Sequence, residues 1–230
     1  MRILTALLLA AALSAFSVAA QAESTLSTLT VSGTASIAAV PDLATISMGV
    51  TTNGATAAEA MAANSKSLAA VLARLQSAGI EARDLQTSSL SLNPNWVGNA
   101  AGTGSEIQGY IAMNMLTIRV RALDKVGDVL DAAIADGANT LNSLTFGMQT
   151  PRPAEDEARK AAVADAMARA RLIAEAAGAR LGPIVSITEG GVPEPMPGTM
   201  FRAADAAKVP VAGGEVEVSA SITMVFQLSQ

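Results

Sequence analysis

The sequence predicts an α+β fold, a mostly antiparallel sheet covered by helices, in the element order ββαββαβαββ. Three observations carry that prediction. Several stretches alternate apolar and polar residues with period two. Three others repeat apolar residues at helical spacing and end in recognisable caps. The two kinds are interleaved along the chain.

The first strand spans residues 29–39, with Leu29, Val31, Gly33, Ala35, Ile37 and Ala39 on one face and Thr30, Ser32, Thr34 and Ser36 on the other. Pro41-Asp42 turns the chain into a second strand that buries Ala44, Ile46, Met48 and Val50, so the two are expected to form a hairpin. A helix follows, opened by the capping box Thr56-x-x-Glu59, carrying Met61, Leu68, Leu72 and Leu75 along one face and stopped by Gly79. Weaker strands are placed at 85–92 and 107–121. The second helix covers about 124–136, with Val126, Val129, Leu130, Ala133 and Ile134 apolar and Gly137 at its end.

A strand at 141–148 leads to the third helix, which starts near Pro151. Glu155, Asp156 and Glu157 fall in its first turn, where carboxylates suit the helix dipole. Its buried stripe is expected at Ala158, Ala162, Ala166, Ala170, Ile173 and Ala177, small enough for close approach to a sheet. After a strand at 184–189, the longest alternation runs from Val216 to Leu228 and predicts a central or major strand. Two long loops remain, 93–105 around the single tryptophan Trp96, and 190–214. They are read as assembly contacts or plain disorder, with a ligand lid ranked lower.

Arg2, the apolar run Ile3–Ala15 and Ala20-Gln21-Ala22 read as a signal peptide at 1–22, cleaved after Ala22. Residues 23–230 then form the α+β domain, with room for two sub-lobes meeting near 138–150. Ser14, Ser17 and Gln21 interrupt the apolar run too early for a membrane anchor, and no transmembrane insertion is expected after cleavage. A transmembrane β-barrel is disfavoured by the three helices and the scarcity of aromatic residues. Loss of Arg2 takes the formal charge from −5 to −6, which disfavours nucleic acid and anionic membranes as partners.

Cysteine and histidine are both absent. Their absence removes the usual ligands for zinc, copper and haem, the Ser-His and Cys-His nucleophile pairs, and the commonest general base. No cofactor is expected, and no metal site. A carboxylate pair is the catalytic unit that remains. Glu155, Asp156 and Glu157 are consecutive and fan apart, while Asp165 before Arg169 and Asp156 before Lys160 read as helix-surface pairs. Asp42 and Asp84 read as turn residues that order a connection. Phosphate-loop and EF-hand patterns are missing, and methionines such as Met48, Met61 and Met224 read as core rather than as oxidant traps. The chain is therefore expected not to be an enzyme. Arg119 and Arg121 at a strand end suggest an anion site or, preferred, a charged sheet edge. Trp96 is the better contact candidate, and Met200 and Phe201 in the second loop join it as assembly candidates.

The ordered set Val31-Ser32-Gly33, Pro41-Asp42, Gly79-Ile80, Asp84-Leu85-Gln86-Thr87, Gly109-Tyr110 with Asn114, Gly137-Ala138, Phe146, the Ala-rich helix 159–178 with Leu181-Gly182, and Gly213-Gly214-Glu215 resembles the SIMPL-domain family across nearly the whole mature chain. The resemblance implies a periplasmic or outer-membrane-associated protein, often a homo-oligomer, linked to envelope or oxidative-stress defence and without established catalytic activity. Together these readings give a non-enzymatic exported module that assembles through strand edges and loops. The alternative is a periplasmic binding protein for a peptide or small ligand.

Overall fold

The computed structural model describes residues 27–98, 104–190, 196–197 and 211–230. Its elements are β1 (Thr28–Ala39), β2 (Leu43–Gly54), α1 (Ala57–Ser77), β3 (Leu85–Gly98), β4 (Ser105–Val120), α2 (Val126–Ala135), β5 (Thr140–Gly147), α3 (Arg152–Ala176), β6 (Arg180–Glu189), β7 (Met196–Pro197) and β8 (Val216–Ser229). The fold is α+β with antiparallel sheets, as the interleaved periodicities require. There are two sheets, ordered β1-β8-β6 and β3-β4-β2-β5, and β7 adds a short pairing to β8.

This topology corrects the expected hairpin. β1 pairs with β8, from Thr28↔Gln227 to Ala39↔Val216, whereas β2 lies between β4 and β5 in the other sheet. A tight two-residue hairpin needs residues at positive φ, and Pro41 fixes a negative one. The connection instead carries the chain across, with the Asp42 N–H bonded to Gly147 O at 3.0 Å.

Each sheet has its own core. α1 covers β2 and β4, burying Ile46, Met48, Leu68, Val71, Leu75, Leu116 and Ile118. The face of α1 centres on Ala60, Asn64, Leu68, Val71 and Leu75, with Met61 and Leu72 on its flanks. The Thr56–Glu59 capping box is formed in both directions. On α2, Val126, Val129, Leu130 and Ala133 are buried, but Ile134 points outward.

α3 covers β1 and β8 through Ala158, Ala162, Ala166, Ala170 and Ala174. The expected stripe is wrong at its end: Ile173 is 45% exposed and Ala177 is exposed. The contact follows a single row in steps of four, and Ile173 falls roughly 100° around the helix from Ala174. β8 is central in its sheet and buries Val216, Val218, Ala220, Ile222, Met224 and Phe226 on the α3 side.

Candidate functional site

β3 and β4 are antiparallel and pair Leu85 with Ile118, which brings the turn before β3 beside the residues after β4. Asp84 ends a 3-10 turn there and is only 4% exposed. Arg121 Nε donates to its Oδ2 and Nη2 to its Oδ1, both at 2.8 Å. The third arm, Nη1, donates to Gln149 Oε1 at 2.6 Å. Gln149 in turn donates its backbone N–H to Asp42 Oδ1 at 2.6 Å and its Nε2 to Asp42 O at 3.0 Å. Asp42 and Gln149 sit on the β1–β2 and β5–α3 connections, the two places where the chain passes between sheets. A forked ion pair therefore fastens both crossings to the end of β4.

The Arg121 hydrogen bonds lower the pKa of Asp84 from its ordinary value, outweighing the burial that opposes ionisation. The same contact raises the pKa of Arg121. Both oxygens of the carboxylate are occupied by a guanidinium, which makes Asp84 a holding group rather than a proton-transfer group. Asp42 orders a connection as expected, but through the distant Gln149 backbone rather than its own.

The sheet-edge reading of Arg119 and Arg121 is overturned. β4 lies between β3 and β2, so neither arginine guards an edge. Arg121 is committed to Asp84, while Arg119 is exposed beside a cleft of about 170 Å³ that Glu81, Lys125 and the turn after α1 also line. Glu155 and Asp156 both pair with Arg159, which also reaches Glu189 on β6 at 2.6 Å. Asp156 thus joins Arg159 rather than Lys160. Met48 and Met224 are buried, as packing residues should be.

Trp96 is not in a loop. β3 continues through Gly98, and after a register shift between Pro94 and Trp96 the tryptophan pairs with Ile107. It is 59% exposed, and Leu90, Leu92 and Ile107 on the same two strands are also exposed. Leu90 and Leu92 pair with Asn114 and Ala112, so they extend the α1-facing side of the sheet beyond the helix. Met200 and Phe201 lie outside the described residues.

Sequence reasoning missed Asn64. It is 1% exposed, and its Nδ2 bridges Val50 O at 2.8 Å and Ala112 O at 3.1 Å, pinning α1 to β2 and β4. A polar residue four before Leu68 on the apolar face was the available signal. Among the described residues, no group of three or more acidic side chains is placed to hold a metal ion. No helix among them is long and apolar enough to cross a membrane.

The fold and these contacts define a two-sheet α+β protein in which, among the described residues, the one buried carboxylate, Asp84, is held by Arg121. The chain belongs to the SIMPL family, described as proteins of unknown function (DUF541), which it matches over residues 29–226. It is 38% identical over 210 residues to the 26 kDa periplasmic immunogenic protein of Brucella melitensis, covering 87% of this chain and 84% of that protein. It is also 32% identical over 203 residues to the uncharacterized protein YggE of Escherichia coli K12, covering 86% and 81% respectively.

Proposed function

We propose that this protein is a non-enzymatic component of the bacterial periplasm, exported by residues 1–22, that works by associating with copies of itself. The observation that carries the reading is the apolar surface of the β3–β4 pair, where Leu90, Leu92, Trp96 and Ile107 are exposed. A tryptophan amid aliphatic neighbours on a rigid pair of strands has the composition of an interface centre. Asp84 supports the absence of acid–base chemistry, because its oxygens are already taken. The Brucella relative's name supports the compartment. A role in envelope or oxidative-stress defence and peripheral association with the outer membrane belong to the same proposal.

The test is the mass of the exported protein by light scattering over a concentration range, alongside Trp96→Ser. A discrete oligomer that the substitution dissociates supports self-association. A wild-type monomer at the highest concentration refutes it. Mass spectrometry of the same sample should find Glu23 at the N-terminus. The alternative, a small-ligand or peptide binding protein, has the cleft beside Arg119 in its favour. That space is smaller than the several hundred Å³ usual for a ligand pocket, and the wider hollow of about 470 Å³ lined by Thr34, Ser36, Glu217 and Ser219 is open and shallow, so this reading ranks second.

A further inference from the structure

Among the described residues β1 is an outer strand of its sheet, with β8 on one side only. Its other side should present unpaired backbone groups, yet two of them are occupied. The Thr34 N–H donates to Asp165 Oδ2 at 3.0 Å, and Arg169 Nη1 donates to Ser32 O at 3.3 Å. Asp165 and Arg169 are themselves paired one helical turn apart, with Arg169 Nε to Asp165 Oδ1 at 3.1 Å and Arg169 Nη2 to Asp165 Oδ2 at 3.0 Å. α3 can reach the edge because it lies directly on Gly33, where its Ala162 O and Ala166 N leave no room for a side chain.

We propose that Asp165 and Arg169 form a latch that keeps the free edge of β1 from pairing with the β1 strand of a second copy. The other outer strands carry protection of their own. β3 contains Pro94 and two register shifts, β6 contains Pro183 and two register shifts between charged ends, and β5 has only 8 residues. β1 has 12 residues, neither charge nor proline, and an unbroken register. A long, uncharged, regular edge is the kind that recruits another strand.

The fitting partner is β1 itself. Antiparallel pairing about Gly33 sets Ser32 opposite Thr34 and Thr30 opposite Ser36 on one face. On the other it sets Val31 opposite Ala35 and Leu29 opposite Ile37. These four pairs are matched in polarity and the contact is two-fold symmetric. This surface is separate from the β3–β4 face, and the latch stands or falls independently of self-association there.

The test uses the absence of native cysteine. Thr34→Cys is introduced into the full chain, spin-labelled, and compared in wild-type and Asp165→Ala/Arg169→Ala backgrounds by electron paramagnetic resonance and sedimentation velocity. The expected result is dipolar broadening and a doubled mass in the latch variant, with an unbroadened spectrum in the wild-type background. Broadening in the wild-type background, or a latch variant with wild-type circular dichroism and no broadening, overturns the proposal. If the double variant does not fold, Asp165→Asn keeps the side-chain shape and weakens the acceptor. It should show the same broadening in part, and its absence overturns the latch equally. Mass growth without broadening that Trp96→Ser abolishes reports the β3–β4 face alone, and so counts against the latch.

Discussion

Replacing Gly33 by alanine tests the close approach of α3 to β1. Gly33 has extended backbone, so φ is no obstacle, and only the contact matters. The added Cβ would collide with Ala162 O and Ala166 N and sit 2.7 Å from Ala166 Cβ, where carbon atoms prefer about 3.5–4.0 Å. Two of the three obstructing atoms are helix backbone, so no side chain can rotate away and α3 must lift by about 1 Å. One extra methylene in a packed interior costs about 1–3 kcal/mol, and the rigid neighbours place this case at about 3 kcal/mol. Alanine returns about 0.4–1 kcal/mol by stiffening the unfolded chain. The net loss is about 2 kcal/mol, which lowers Tm by about 4–8 °C in a domain of this size. Urea and thermal unfolding followed by circular dichroism give the number. A Gly33→Ala protein as stable as wild type would mean that α3 does not rest on β1 as described, and the latch geometry would fall with it.

Asn64→Leu removes the donor that Val50 O and Ala112 O share and should cost about 2–3 kcal/mol in urea unfolding. Asn114→Leu removes a buried amide oxygen that has no hydrogen-bond partner among the described residues, and should be within about 1 kcal/mol of wild type or more stable. Asp84 has a folded pKa below its ordinary 3.8, so the pair's contribution is complete above that value and drains away as pH falls through the lowered one. The stability gap between wild type and Asp84→Asn should therefore be constant near neutral pH and narrow below about pH 4, as read by urea unfolding across that range. Thr56→Ala removes the acceptor of the Glu59 N–H and should lower stability by about 1 kcal/mol in the same assay.

Local periodicity was legible and partner choice was not. The alternation of Val216 to Leu228 located β8, and the Thr56–Glu59 box located the start of α1, because both signals live within a few residues. The pairing of β1 with β8 spans nearly the whole chain, and no property of Leu29–Ala39 distinguishes that partner from its neighbour β2. The Arg121–Asp84 pair was hidden for the same reason, since the two residues meet only through the β3–β4 ladder. Asp165 and Arg169 show the problem most sharply. Four residues apart on a helix, they read as an ordinary surface pair, and their bonds to the β1 backbone depend on Gly33 letting the helix descend.

Small residues thereby decide where the surface is left bare. Because α3 meets the sheet through alanine methyls over Gly33, it settles on β1 and β8, and β6 at the far edge leaves Ile184, Val185 and Ile187 exposed. In the other sheet α1 settles on β2 and β4, and the outer strand β3 leaves Leu90 and Leu92 uncovered. Each sheet is covered off-centre by its helix, so each has one strand whose helix-facing side is finished by nothing else in the described chain. Pro183 and Pro94 within those strands obstruct backbone pairing there while leaving the apolar side chains available. The same strands are thus poor acceptors for another strand and good surfaces for side-chain packing. Association of this protein should accordingly follow the apolar faces of β3 and β6 and lengthen neither sheet, unless the latch on β1 is opened.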